Sequence, residues 1–183
     1  MLYKILLNAF PLLNGFLSRL IWLLFRRDVS IGSKIRIGKH TSIRFYPSCQ
    51  VKIGYNVKVC DNAEIAVINN ATLTIGNNVG IGKGNSIICR ESIKIGNDTI
   101  LGPNVLIFDH NHKYTILGGV DQRKYISSSI SIGEKSWIGA NVTILKGVNI
   151  GNCVTIGAGS VVVKDIPDNC IAVGNPCKPI KKR

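Results

Sequence analysis

The chain has 183 residues, with 23 Lys plus Arg against 10 Asp plus Glu, for a formal net charge of +13. Apolar residues at 45% and charged residues at 18% supply a core for one domain and argue against intrinsic disorder or a coiled coil. The basic excess predicts acidic company: nucleic acid, an anionic membrane surface or a phosphorylated small ligand.

Residues 1–30 open with a hydrophobic stretch, Met1 to Phe25, closed by Arg26 and Arg27. Lys4, Asn8, Pro11, Asn14, Gly15, Ser18 and Arg19 recur at helical spacing and set polar residues and breaks along one stripe; Pro11 would also kink a single span. The segment reads as an amphipathic helix that either covers the open end of the next domain or lies at a membrane surface, in preference to a transmembrane helix.

From residue 31 to about 168 an aliphatic residue returns every sixth position: Ile31, Ile37, Ile43; Ile53, Val59, Ile65; Ile75, Ile81, Ile87; Ile95, Leu101, Ile107; Ile132, Ile138, Ile144; Ile150, Ile156, Val162. Glycine follows the first two members of each triplet, except at Cys60, and never the third. Three residues past many of these positions stand Asn56, Asn62, Asn78, Gly84, Asp98, Asn104, Asn141, Gly147 or Gly159, residue types that tolerate a left-handed backbone and so mark corners. Short segments that turn a corner every six residues describe a triangular prism of parallel strands with the aliphatic positions inside; a helix would need a 3.6-residue period. At about 4.8 Å per stacked strand, six coils make a column of roughly 29 Å.

Triplets begin at 31, 53, 75, 95, 132 and 150, so a long loop leaves the column at about 109–130. Such loops in compact domains are usually functional. This one opens with Asp109-His110-Asn111-His112, two of only three histidines. Residues 169–183 read as a basic C-terminal tail ending in Lys181, Lys182 and Arg183. Six cysteines show no C-x-x-C pair or zinc-ligand spacing and read as reduced, mostly packed thiols.

Several ordered segments carry a family resemblance: Leu101-Gly102-Pro103-Asn104 running to Asp109-His110-Asn111-His112, Ser136-Trp137-Ile138-Gly139-Ala140-Asn141, Ile156-Gly157-Ala158-Gly159-Ser160 running to Lys164-Asp165, and Gly174-Asn175-Pro176. Over residues 31 to about 180 the chain resembles the hexapeptide-repeat, left-handed β-helix acyltransferases, most of all the maltose, galactoside, xenobiotic and polysaccharide O-acetyltransferases. The resemblance implies a homotrimer in which acetyl-coenzyme A and acceptor lie in clefts between neighbouring prisms. By its register His112 is the catalytic base, with His110 as the alternative. Asn85, Asp109 and Trp137 are implied on the acceptor side, and Gly139, Ala140, Gly157, Ala158, Lys164 and Lys178 along the coenzyme A arm and phosphates. No metal is implied. The chemistry suits the residue type, since an imidazole can take the proton of an alcohol as its oxygen attacks a thioester.

The expected function is acetyl-coenzyme A-dependent O-acetylation of a sugar hydroxyl in bacterial capsule, exopolysaccharide or O-antigen synthesis, in the cytoplasm or at the inner face of the cell membrane. A serine or nucleotide-aminosugar acetyltransferase on the same fold is the alternative within acyl transfer. From other classes, a γ-carbonic-anhydrase-like zinc lyase needs three histidines on neighbouring coils, and His40 lies about three coils before His110 and His112. A non-catalytic solenoid needs no histidine-bearing loop, and nucleic-acid binding has only the charge in its favour.

Overall fold

The computed structural model describes residues 28–182 together with Leu13, Gly15, Phe16, Leu17 and Leu20 of an N-terminal helix. The remainder of the 1–30 segment and Arg183 lie outside the described residues, and with them most of the expected amphipathic stripe. Gly15 is buried, and a Cβ there would collide with the Ile35 carbonyl of the first coil. Leu13, Phe16, Leu17 and Leu20 of the same helix are exposed. Among the described residues, no helix is long and apolar enough to cross a membrane.

The repeat folds as three parallel sheets wound around one core. The first face stacks Val29–Ile31, Gln50–Ile53, Thr72–Ile75, Ser92–Ile95, Ile130–Ile132 and Asn149–Ile150. The second stacks Arg36–Ile37, Lys58–Val59, Gly80–Ile81, Ile100–Leu101, Trp137–Ile138, Thr155–Ile156 and Cys170–Val173. The third stacks Ser42–Phe45, Glu64–Val67, Ser86–Cys89, Leu106–Phe108, Thr143–Leu145 and Val161–Val162. Register is direct, as in Val51↔Leu73 and Ile53↔Ile75, so like residues lie above like. The inward column, including Leu73, Ile81, Ile93, Ile95, Ile107, Ile138 and Ile144, is fully buried, which is the alternation a strand with one covered face must show.

All nine corner residues marked in the sequence have φ between +54° and +80°. Lys34, His40, Lys135 and Cys153 adopt the same conformation at equivalent positions, so the third histidine serves a turn. Side-chain amides bind the corners together coil to coil: Asn56 Nδ2 donates to Asn78 Oδ1 at 2.9 Å, and Asn78 Nδ2 to Asp98 Oδ1 at 2.8 Å. Closely stacked glycines form the corner between second and third faces. A Cβ on Gly102 would lie 2.8 Å from Ala140 N, and one on Gly139 2.7 Å from Ala158 N.

Two segments differ from expectation. The loop at 109–130 is a β-hairpin, His110–Thr115 paired antiparallel with Gly119–Ser127, leaving the prism at the corner between third and first faces. The 169–183 segment expected as a tail adds Cys170–Val173 to the second face, and Lys178–Lys182 folds back antiparallel on it. Cys170 and Ala172 point inward and are buried; that apolar pair gives the segment a place on the open end of the core. The six cysteines are free thiols, four of them buried.

The alternation makes a direct test. Leu73→Ala, inside the prism, should lower unfolding free energy by about 2–5 kcal/mol, whereas Thr74→Ala on the outer face should change it by less than about 0.5 kcal/mol. Urea denaturation followed by circular dichroism measures both, and equal effects would contradict the register.

Candidate active site

The hairpin starts where the chain leaves the third face after Phe108. Asp109 is completely buried there, and its carboxylate accepts from Arg90 N at 2.9 and 3.0 Å and from Glu91 N at 2.8 Å. Those amides belong to the corner of the coil below, so one carboxylate closes that turn and pins the root of the hairpin. Burial, reinforced by the Asp109 carboxylate, pushes the neighbouring Cys89 thiol far above its ordinary value, which leaves it a packing group and no nucleophile. Asp109 was expected on the acceptor side. With no exposed surface and its oxygens given to backbone N–H groups, it positions the hairpin instead.

His110 and His112 alternate along one strand and therefore share a face of the hairpin. His110 Nδ1 lies 3.3 Å from Asp109 Oδ1, with its ring edge-on to Phe108 at 6.3 Å and Tyr125 at 5.5 Å. Its side chain is only 15% exposed. Burial holds its pKa below the ordinary histidine value against the pull of Asp109, and the charges of Arg90 and His112 act in the same direction as burial. The tautomer with its proton on Nδ1 lets His110 donate to the Asp109 carboxylate oxygen. His112 is exposed and pairs across the hairpin with Tyr125, its ring centroid 4.5 Å from the tyrosine ring. The guanidinium of Arg90 covers Tyr125 at 3.5 Å, a cation–π contact. Arg90 and Tyr125 were not singled out in the sequence. Their signal was the pairing of His112 with Tyr125 about the Gly118-Gly119 turn, visible only once the loop is read as strands.

The other expected residues occupy different places. Asn85 is buried inside the prism at 1% exposure, its Oδ1 accepting from Val105 N at 2.8 Å and its Nδ2 without a protein partner. It does not open onto the surface of a single chain, so the expected acceptor contact is not formed by the chain alone. Trp137 is 57% exposed on the second face, beside Ile100 in the neighbouring strand. Gly139 and Ala140, then Gly157 and Ala158, follow as stacked steps of the corner between second and third faces. Above Gly157 comes Val173, paired with exposed Lys178. Apart from Asn141, which accepts from Asn104 Nδ2, this corner carries only hydrogen or a methyl group over two coils, with half-buried Ala140 and exposed Ala158, a shallow track that a thin chain fits. Lys164 is exposed at the far end of the third face, two coils above the hairpin root.

One chain therefore separates its expected site residues onto two edges. His110, His112 and Lys164 stand at the end of the third face; Trp137, Gly139, Ala140, Gly157, Ala158 and Lys178 stand at or before its beginning. A face of five to six extended residues, at about 3.3 Å each, keeps the edges roughly 18 Å apart. Among the described residues no three His, Cys, Asp or Glu side chains gather to hold a metal ion.

Comparisons with known proteins agree with this architecture. The family described as hexapeptide repeat of succinyl-transferase matches residues 72–108, and that described as bacterial transferase hexapeptide (six repeats) matches 129–164. An Escherichia coli (strain K12) protein named for O-acetyl transfer in lipopolysaccharide biosynthesis is 44% identical over 100 residues, 50% of this chain and 51% of that protein. A galactoside O-acetyltransferase of Lactococcus lactis subsp. lactis (strain IL1403) is 43% identical over 93 residues, 49% of this chain and 43% of that one. The chain thus spans about half the length of the curated relatives it matches. Among solved structures, an N-acyltransferase from Bacillus cereus in complex with dTDP and coenzyme A shares the fold, a left-handed β-helix, with a TM-score of 0.70, 23% identity and coverage of 84% of this chain and 83% of that one. A maltose O-acetyltransferase from Clostridium difficile 630 is 30% identical, covers 86% of this chain and 71% of its own, and superposes with a TM-score of 0.53. With the same six-residue repeat, the same winding and these matches along both halves of the column, the chain belongs to the hexapeptide-repeat acyltransferase family.

Proposed function

We propose that the protein transfers an acetyl group from acetyl-coenzyme A to a sugar hydroxyl, and that its active site forms between two copies of the chain in a homotrimer. The observation that carries this reading is the histidine pair at the hairpin root, one imidazole held by a buried carboxylate and the other open to a ligand. The small-residue corner at Gly139, Ala140, Gly157 and Ala158 accommodates the pantetheine arm, with Lys178 of the same chain and Lys164 of its neighbour available to phosphates. Such a cleft uses the two edges of one chain in two different sites, which a cyclic assembly allows. Relatives with O-acetyltransferase names, and a neighbour in complex with coenzyme A, support the reaction class.

In this reading His112 is the general base. It is the exposed imidazole, and Tyr125, fixed beneath Arg90, sets its ring plane. His112 takes the proton of the acceptor hydroxyl as that oxygen bonds to the thioester carbon, and returns it to the sulfur when the carbon–sulfur bond breaks. His110, tied to Asp109 through Nδ1, holds the root of the hairpin in place. Trp137 offers an apolar ring face to the acceptor sugar. The sugar belongs to a polysaccharide precursor, and the N-terminal segment, with the net charge of +13, draws the protein to an anionic membrane from the cytoplasmic side.

Incubating the protein with acetyl-coenzyme A and a panel of glycosides should release free thiol and give a hydroxylamine-sensitive ester. An amide product would favour the aminosugar alternative, and absence of coenzyme A binding at millimolar concentration would overturn the reading. His112→Ala should lower kcat at least about 100-fold with coenzyme A affinity nearly unchanged, and His110→Ala should cost less; reversed behaviour would move the base to His110. Light scattering should give three times the 19.9 kDa chain mass at micromolar concentration, and a monomer would contradict the shared cleft.

A further inference from the structure

The first three coils hold a feature that the proposed chemistry leaves unused. On the edge that carries the small-residue corner, a cavity of about 250 Å³ is lined by Arg36, Gly38, Lys58, Val59, Cys60, Asp61 and Lys83. Among the described residues none of its three cations forms an ion pair. Asp61, the one carboxylate in the lining, has Oδ1 occupied by Lys39 N at 2.8 Å. Arg36 donates from Nη2 to Asn56 Oδ1 at 2.8 Å, while its Nε is buried without a partner. A buried guanidinium N–H with no acceptor, in a cavity lined also by two lysines, is the donor set of an oxyanion site.

Its position gives the anion a context. Along the outer surface of the second face the register runs Arg36, Lys58, Gly80, Ile100, Trp137. At Gly80 an added Cβ would meet only Ile100 Cγ2, at 3.8 Å, so the strip has a gap between its basic and apolar parts. Ile100 and Trp137 are 55% and 57% exposed. From the strand of Lys58 to that of Trp137 is three strand spacings, about 14 Å. The hairpin leaves the coil of Ile100 and Phe108, at the height where this strip becomes apolar.

We propose that the Arg36, Lys58 and Lys83 cavity holds the diphosphate of a diphospho-sugar acceptor, whose sugar lies along Gly80, Ile100 and Trp137 toward the small-residue corner. This rests on the transferase reading above and assigns its acceptor class. Two sources share the chemistry, a soluble nucleoside diphosphate sugar and a sugar linked by diphosphate to a membrane lipid. Lysine and arginine bind the diphosphate by charge-assisted hydrogen bonds, and an apolar face with an aromatic ring suits a pyranose.

The test uses the full-length protein and inorganic pyrophosphate, titrated by calorimetry with coenzyme A saturating so that the donor's own phosphate contacts are filled. Binding should weaken at least about tenfold in Lys58→Gln/Lys83→Gln, whose side chains are exposed, and less than about twofold in Lys52→Gln/Lys94→Gln, which removes the same charge from the first face. Arg36→Lys, which keeps the charge and loses the fork, should fall between them. Equal weakening in the two double variants, or no pyrophosphate binding by the parent protein, overturns the proposal. Displacement of pyrophosphate by UDP-N-acetylglucosamine supports the soluble source. Displacement by phosphatidylglycerol vesicles carrying polyprenyl-diphosphate N-acetylglucosamine, and not by the same vesicles without it, supports the lipid-linked source; displacement by the bare vesicles overturns the assignment to a diphospho-sugar. Acetyl-coenzyme A affinity, measured separately on the parent protein, decides the transferase reading independently of these outcomes.

Discussion

Each coil must lie on the one below in strand register, and the whole structure answers to that requirement. Parallel strands exchange backbone hydrogen bonds only with their neighbours along the column, so a face survives only if every coil returns to the same three corners. The six-residue step meets this by placing an aliphatic residue inside, as at Ile75, Ile81 and Ile87, and a left-handed residue at the turn, as at Asn78 and Gly84. At Gly102 and Gly139 the next coil's backbone occupies the space a Cβ would need. Extra chain can be accommodated only at a corner, which is where the hairpin emerges.

That constraint distributes the chemistry. The hairpin root can be fixed because Asp109 reaches the unpaired amides of Arg90 and Glu91 in the coil below. His110 borrows the same carboxylate, and His112 stacks on a tyrosine that Arg90 covers. The opposite edge of the third face offers stacked glycine and alanine at Gly139, Ala140, Gly157 and Ala158, and no titratable side chain among them. A rigid face about 18 Å across cannot fold these edges together, so the proposed reaction calls on a second chain. The second face adds a gradient from Arg36 and Lys58 in its first two strands to Ile100 and Trp137 in its fourth and fifth, aligned with the direction in which coils accumulate.

The prism was legible because its signal is repeated in every coil and each instance corrects the others. Corner identity was read from Asn, Asp and Gly, and the structure extends it to Lys34, His40, Lys135 and Cys153, where position in the repeat prevails over residue preference. The hairpin escaped because both its surfaces are largely exposed, leaving no alternation to read: Tyr114, Ile116, Leu117 and Val120 all face solvent. Asn85, from its family position, and Asp109 are expected on the acceptor side. Sequence does not show that a side-chain oxygen is already taken by Val105 N or by the amides of residues 90 and 91. Cys170 to Val173 looked like tail because prolines and lysines flank a strand too short to register its two inward residues.

The division of the site between neighbouring chains is the claim on which the functional account turns, and subunit complementation measures it. His112→Ala removes the proposed base but leaves the small-residue corner intact, and Ala158→Trp blocks that corner but leaves the base. Each variant alone should be nearly inactive. When the two are unfolded together, mixed in equal amounts and refolded, about one quarter of the clefts in a cyclic trimer should combine an intact corner with an intact histidine, so acetyl transfer should return to about that fraction of the parent rate. Activity that stays at the sum of the two separate variants would show that each chain carries its own complete site.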